Sequence, residues 1–152
     1  MITINFEKKF IFLITLFPLL NCSILLSSSN NLEIKFKDKP SINLEIANSE
    51  KERKIGLMYR KSLDKYSGMF FDYKELSEVK IWMKNTIIPL DIIFLEGNKI
   101  VHIVQNALPC RELNTNCPKF SAGQPVDAVI EVNSGIVKEY NLTIGDHLFI
   151  EK

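Results

Sequence analysis

The chain has 152 residues, 46% hydrophobic and 24% charged, with 19 basic and 18 acidic side chains and a net charge of +1. This is an ordinary globular composition, enough for one domain plus a leader. Charges alternate in sign, as at Glu50-Lys51-Glu52-Arg53-Lys54, and no basic stripe appears, which argues against nucleic acid as a partner.

The leader comes first. Lys8 and Lys9 give a positive start, Phe10–Leu20 is apolar, and no charge occurs from Phe10 to Leu32. The run has the length of a secretory signal core, is interrupted by Pro18, and falls short of the roughly 20 apolar residues of a membrane span. Cys22 follows, with Leu19 three residues before it, as in a lipoprotein signal. Asn21 departs from the small residue usual just ahead of the cysteine. The expectation is a signal peptide over 1–21, lipidation of Cys22, a flexible tether over 22–31, and one globular domain over 32–152. An ordinary signal peptide with an incidental cysteine, or an uncleaved anchor, is the alternative. Such a chain is exported and held by its lipid in the bacterial cell envelope, in the periplasm or at the surface. Without Glu7, Lys8 and Lys9, 17 basic and 17 acidic residues remain.

In the domain, Leu32–Phe36 and Ile42–Ile46 alternate apolar and polar residues, as half-buried strands do. Lys39-Pro40 marks the turn between them. Ser49-Glu-Lys-Glu52 is a capping box opening a short helix that fails near Arg60. Ser67-Gly68 predicts a turn, followed by a buried run, Met69–Phe71. Val79, Ile81 and Met83 share one strand face, with Lys80, Trp82 and Lys84 on the other. Leu90–Leu95 is an apolar strand, joined through Gly97-Asn98 to Lys99–Gln105 as a hairpin. Ala107–Pro125 lacks periodicity and predicts one long loop, of the kind that is often functional. Asp127–Val132 is a strand. Ser134 is expected to cap a short helix through Tyr140, ended near Asn141. Gly145-Asp146 turns into a last strand, His147–Glu151. The pattern predicts a β-rich α+β domain: a small mixed or antiparallel sheet, or half-open barrel, of about seven short strands with two short helices.

Once Cys22 is set aside, Cys110 and Cys117 remain, with six residues between them in the Pro- and Asn-rich loop. In an oxidising compartment a disulfide there would contribute about 2.5 kcal/mol in the chain-entropy model. A reactive or metal-binding thiol pair is the alternative, although the spacing is not that of redox or zinc motifs. No metal site and no cofactor is expected.

Several blocks together resemble the DUF192 (UPF0127) family. They are Gly56-Leu-Met-Tyr-Arg-Lys-Ser-Leu63, Gly68-Met-Phe-Phe71, Ile81-Trp-Met-Lys-Asn-Thr86 with Pro89-Leu-Asp91, Asn106-Ala-Leu-Pro-Cys110 with Cys117-Pro118, Val129-Ile-Glu-Val132 with Gly135, and Ile144-Gly-Asp146. The resemblance covers roughly 41–151. It implies a compact β-rich domain, commonly secreted or membrane-associated, and no established catalytic residues. Two positions depart from the family: Phe120 stands where a Tyr is frequent, and Arg111 where a Thr is frequent.

The densest set of functional residue types runs from Trp82 to Asp91. Trp82 offers a stacking face and an N–H donor, Lys84 a cation, Asn85 and Thr86 neutral hydrogen-bonding groups, and Asp91 a carboxylate. With Asn106 at the entry to the long loop, these residues are the candidate small-ligand site. A purely structural reading uses the same residues as a buried turn, with Asp91 paired to Lys84 and Asn106 holding the loop. Catalysis has thin support. Only His102 and His147 are present, no nucleophile elbow or metalloprotease motif occurs, and His102 suits a structural role. Asp72, Glu75, Glu96 and Asp127 leave an acid pair open. The sequence therefore suggests a non-catalytic module for a small molecule or an envelope protein. The alternatives are an enzyme on envelope material using Asp91 and Lys84, or a purely structural lipoprotein.

Overall fold

The computed structural model describes residues 30–110 and 116–151. The expected signal peptide, the lipidation site Cys22, most of the tether, and Arg111 lie outside those residues.

β1 (Asn31–Lys35) and β2 (Ile42–Ala47) form an antiparallel hairpin with Leu32 opposite Leu44. α1 (Glu50–Ile55) follows, and its capping box is present: Ser49 Oγ accepts from the Glu52 N–H, and the Glu52 carboxylate accepts from the Ser49 N–H at 2.9 Å. Gly56 ends the helix at φ 49°, a conformation that costs glycine least. The chain then crosses to β3 (Ser67–Ser77), which pairs in parallel with β2, as a helical crossover permits. β4 (Ile81–Trp82), β5 (Leu90–Glu96), β6 (Lys99–Ala107), β7 (Lys119–Phe120), β8 (Val126–Asn133), α2 (Ile136–Tyr140) and β9 (Phe149–Ile150) complete the domain.

Seven strands make one curled half-barrel sheet in the order β6-β5-β8-β3-β2-β1-β9, and β4 with β7 makes a separate pair. The β-rich α+β expectation holds, including the half-open barrel. The curl brings Ile100 of β6 to the segment before β9, where Ile100 N–H donates to Asp146 O and Gly145 N–H donates to Ile100 O, both at 2.8 Å.

The sheet buries both faces. One cluster, including Ile34, Leu44, Ile93, Leu95, Ile130 and Val132, lies under α2 through Ile136, Val137 and Tyr140. The other, including Phe71, Met83, Ile92, Phe94 and Val129, meets Leu57 after α1 and the β4–β7 pair. Burial on both sides is why β5 and β8 read as continuous apolar runs. Stepping one residue along β5 or β8 moves a side chain from one core to the other.

Four local expectations need correction. Ser67-Gly68 is the start of β3, not a turn. Gly68 sits there because a Cβ would come within 2.2 Å of the Glu131 carbonyl oxygen on β8. The stretch from Ala107 to Pro125 is not one featureless loop: Ala107 closes β6, Cys110 bridges to Lys84 and Thr86, and β7 lies within it. The disulfide Cys110–Cys117 is formed, with Cα atoms 5.7 Å apart. Third, Ser134 does not cap α2. The N-cap is Gly135 in a left-handed conformation, with no side-chain cap of its own, and a residue distant in sequence does the work instead. The strand expected from Val79 to Lys84 shrinks to Ile81–Trp82, yet its alternation survives: Val79, Ile81 and Met83 are buried while Lys80 and Trp82 face out.

Candidate functional site

The six residues singled out in the sequence divide between two places. Asp91 and Asn106 hold α2. Asp91, on the α2 face of β5, is 1% exposed. Its Oδ1 accepts from the Asn106 N–H, and its Oδ2 accepts from the N–H groups of Gly135 and Val137, each at 2.9 Å. It therefore caps α2 from outside the helix, supplying a carboxylate where the unpaired N–H groups and the helix dipole favour one. Asn106, at φ 53°, accepts from Ser134 Oγ at 2.9 Å and fastens the same junction. The expected Asp91–Lys84 pair is absent: among the described residues no ion pair joins them.

Trp82, Lys84, Asn85 and Thr86 gather on the other side of the sheet. Lys84 Nζ lies 5.4 Å from the centre of the Trp82 ring, a cation–π contact. Asn85 is a junction. Its backbone N–H donates to Cys110 O at 2.8 Å, its carbonyl accepts from the Tyr59 N–H at 2.9 Å, and its side-chain amide donates to Tyr59 Oη at 2.6 Å. Its φ of 57° explains an asparagine there, since few other residues tolerate that region. The Asn85 Oδ1 is buried without a hydrogen-bond partner among the described residues. The residues after α1, the 84–86 turn and Cys110 are thus tied together through one residue.

Trp82 and Thr86 line a cleft of about 430 Å³, within the usual range for small-molecule sites. α1 and the residues following it form one wall, with Arg53, Lys54, Gly56 and Leu57. Phe71 and Tyr73 of β3 and Lys80 and Ile81 form the other. Arg53 is held in place: its Nη1 donates to the carbonyls of Asn48 and Asp72, both at 2.8 Å, and its guanidinium lies 5.0 Å above the Tyr73 ring.

Glu131 also lines this cleft, and the sequence reading missed it. It sits on β8, between Met69 of β3 and Ile92 of β5, and is 5% exposed. No hydrogen bond or ion pair to its carboxyl is present among the described residues. Burial in this apolar setting pushes its carboxyl up to about 8. The same burial raises the nearby Tyr73 phenol, opposed by Arg53 and assisted by Glu131. The available signal was a lone acid inside the otherwise apolar Val129-Ile130-Glu131-Val132 run, at the spacing of a central strand.

The other acids considered are elsewhere. Asp72 Oδ1 accepts from the Lys74 N–H, Asp127 accepts from the Gly97 N–H, and neither lines the cleft, nor do Glu75 and Glu96. His102 lies tilted against Phe94 with ring centres 5.7 Å apart. Among the described residues no three His, Cys, Asp or Glu side chains are placed to hold a metal ion.

The sequence profile of DUF192, described as "Uncharacterized ACR", matches residues 32–150. The chain belongs to the DUF192 family. Two solved structures are similar to this family member. A protein from Sinorhizobium meliloti 1021, described as a candidate transcription regulator, is 32% identical with a TM-score of 0.69, over 79% of this chain and 92% of that one. A protein of unknown function from Novosphingobium aromaticivorans DSM 12444 is 29% identical with a TM-score of 0.67, over 78% of this chain and 83% of that one. No curated protein matches the chain.

Proposed function

We propose that this DUF192 domain is a small-ligand-binding module, exported and anchored in the cell envelope through a lipidated Cys22, and that the cleft between α1 and β3 is its binding site. The observation that carries the reading is the pairing of Trp82 and Glu131 around one cleft: an aromatic surface 36% exposed, and a carboxyl that opens onto the cleft from a residue only 5% exposed, with no protein partner among the described residues. An acid on a central strand whose carboxyl meets no protein donor and faces a cleft is placed to meet whatever enters that cleft. Neither Asp91 nor Asn106 belongs to this site. Their contacts hold α2, so an enzyme using Asp91 as acid or base finds no support in this geometry.

Native mass spectrometry of the full chain, purified non-reduced from a detergent-solubilised envelope, tests the binding reading. The expected result is a retained small-molecule mass that disappears in Trp82→Ala while the variant stays folded. A bare protein at every ligand-preserving condition, with Trp82→Ala indistinguishable from it, would count against a binding role. The anchor is tested separately. Cys22→Ser is expected to release the protein from the membrane fraction, and unchanged sedimentation with membranes would reject lipidation at that residue.

A further inference from the structure

We propose that the cleft selects small organic anions with an apolar or aromatic body, and that Glu131 meets them as a neutral carboxyl, donating a hydrogen bond to a ligand oxygen. The inference rests on reading the cleft as a ligand site, and goes on to name the class of ligand.

Glu131, the most buried charged side chain of the lining, forms the floor of the cleft. A carboxylate on a residue only 5% exposed, beside Met69 and Ile92 and with no protein donor among the described residues, is poorly solvated and costly. The same group protonated costs far less, and then has an O–H to give. A neutral buried carboxyl acting as donor is a recognised device of apolar sites. The charged and titratable groups around it do not oppose that state. β3 contributes the Tyr73 phenol, β5 contributes only apolar Ile92, and the nearer cations stand on the walls rather than in contact with the carboxyl. Burial holds the proton on Glu131 up to about pH 8.

The mouth is basic. Arg53, Lys54 and Lys80 line the cleft, against one exposed acid, Glu50. With Glu131 neutral, the lining carries an excess of two positive charges. Low-dielectric walls concentrate such a field within a cleft. The remaining surface, Phe71 with Tyr73 and Trp82, suits a flat or apolar ligand body. An ammonium ligand would face three cations, and a protonated Glu131 would offer it only a neutral acceptor. An anion satisfies the cations at the mouth and accepts the hydrogen bond at the floor.

Trp82 is the only tryptophan in the chain, so its indole reports on the cleft without background. The full chain would be titrated at pH 6.5 with phenylacetate, phenylacetamide and benzylamine, three probes of one shape and different charge. Binding is followed by indole fluorescence and by the indole N–H resonance. Phenylacetate is expected to saturate, at a concentration at least about tenfold below benzylamine. At pH 9, one unit above the Glu131 titration, phenylacetate affinity is expected to fall about tenfold. In Glu131→Gln, whose amide keeps a donor but cannot titrate, that fall is expected to vanish while binding at pH 6.5 persists. Benzylamine binding as tightly as phenylacetate, or an unchanged pH response in Glu131→Gln, overturns the anion assignment and leaves the cleft itself standing. If none of the three probes moves the indole signal, the anion proposal and the binding reading fall together.

Discussion

Two buried acids lie on opposite faces of the same sheet, and they are used in opposite ways. Asp91 on β5 and Glu131 on β8 belong to adjacent paired strands, yet Asp91 stands opposite Val132 and Glu131 opposite Ile92. That one-residue offset sends Asp91 under α2 and Glu131 into the cleft. Asp91 accepts three backbone N–H donors, whereas Glu131 accepts none among the described residues. Burial by itself therefore does not single out a candidate site acid. What separates the two is whether the fold has already satisfied the carboxyl.

Replacing each acid by its isosteric amide breaks the comparison most sharply. In Asp91→Asn one oxygen becomes an NH₂ group pointed at a backbone N–H, so an acceptor is lost and a donor clash is created. We expect a loss of about 4 kcal/mol in denaturant unfolding, with α2 detaching first in hydrogen exchange. A loss under about 1 kcal/mol would show that the cap contributes little.

Glu131→Gln should do the reverse at alkaline pH. The folded-state pKa of Glu131 lies near 8, above the ordinary 4.5. The native state therefore holds a proton that the unfolded chain has released, and stability falls as pH rises between those two values, levelling off above 8. Below about pH 4.5 both states are protonated and the residue has no pH effect. The full span corresponds to at most roughly 5 kcal/mol. Glu131→Gln should unfold like the wild type near pH 4, be more stable by several kcal/mol near pH 9, and flatten the slope between. A wild-type curve already flat from pH 5 to 8.5 would place the Glu131 carboxyl in contact with water or with a cation.

The sequence carried much of this fold because its signals were local. The Ser49–Glu52 capping box, the alternation through β1 and β2, and the two-residue Gly97-Asn98 link each act within a few residues. The misreadings concern features decided at long range. Gly68 resembled a turn residue because the reason for it, the Glu131 carbonyl, lies across the sheet on β8. Ser134 was the nearest cap candidate before α2, but the cap comes from Asp91, 44 residues from Gly135. The candidate site suffered the same way. Trp82 to Asp91 is contiguous in sequence, and β5 begins within it, carrying Asp91 away from Trp82 and Thr86. Arg53, Tyr73 and Glu131, from three separate elements, are brought together by the fold, and no spacing in the chain announces them.

The disulfide gives a smaller effect on the cleft side of the comparison. Cys110 accepts from the Asn85 N–H and bridges to Lys84 and Thr86, so the disulfide holds the residue that fastens Thr86 at the cleft wall. Cys110→Ser with Cys117→Ser is expected to cost about 2.5 kcal/mol by the entropy of the small ring. The loss should be accompanied by faster exchange at Asn85 and Tyr59, and by no change around α2. Equal loosening at α2 would mean that the two faces of the sheet are not independent units.

The smallest expected effect lies at the cleft rim. Lys84 rests on the Trp82 ring, whose indole is 36% exposed. A cation–π contact so open to water contributes about 0.5 kcal/mol. Lys84→Ala should thus lower the melting temperature by only about 2 °C for a domain of this size. A double-mutant cycle with Trp82→Ala isolates the contact from the general loss of side-chain surface. Because Lys84 covers part of the indole without lining the cleft, its removal should leave phenylacetate affinity within about twofold of wild type, as expected for a charge outside the site. A larger drop would extend the basic mouth to Lys84 and bring one more of the residues singled out in the sequence into the binding site; an unchanged affinity would confine that mouth to Arg53, Lys54 and Lys80.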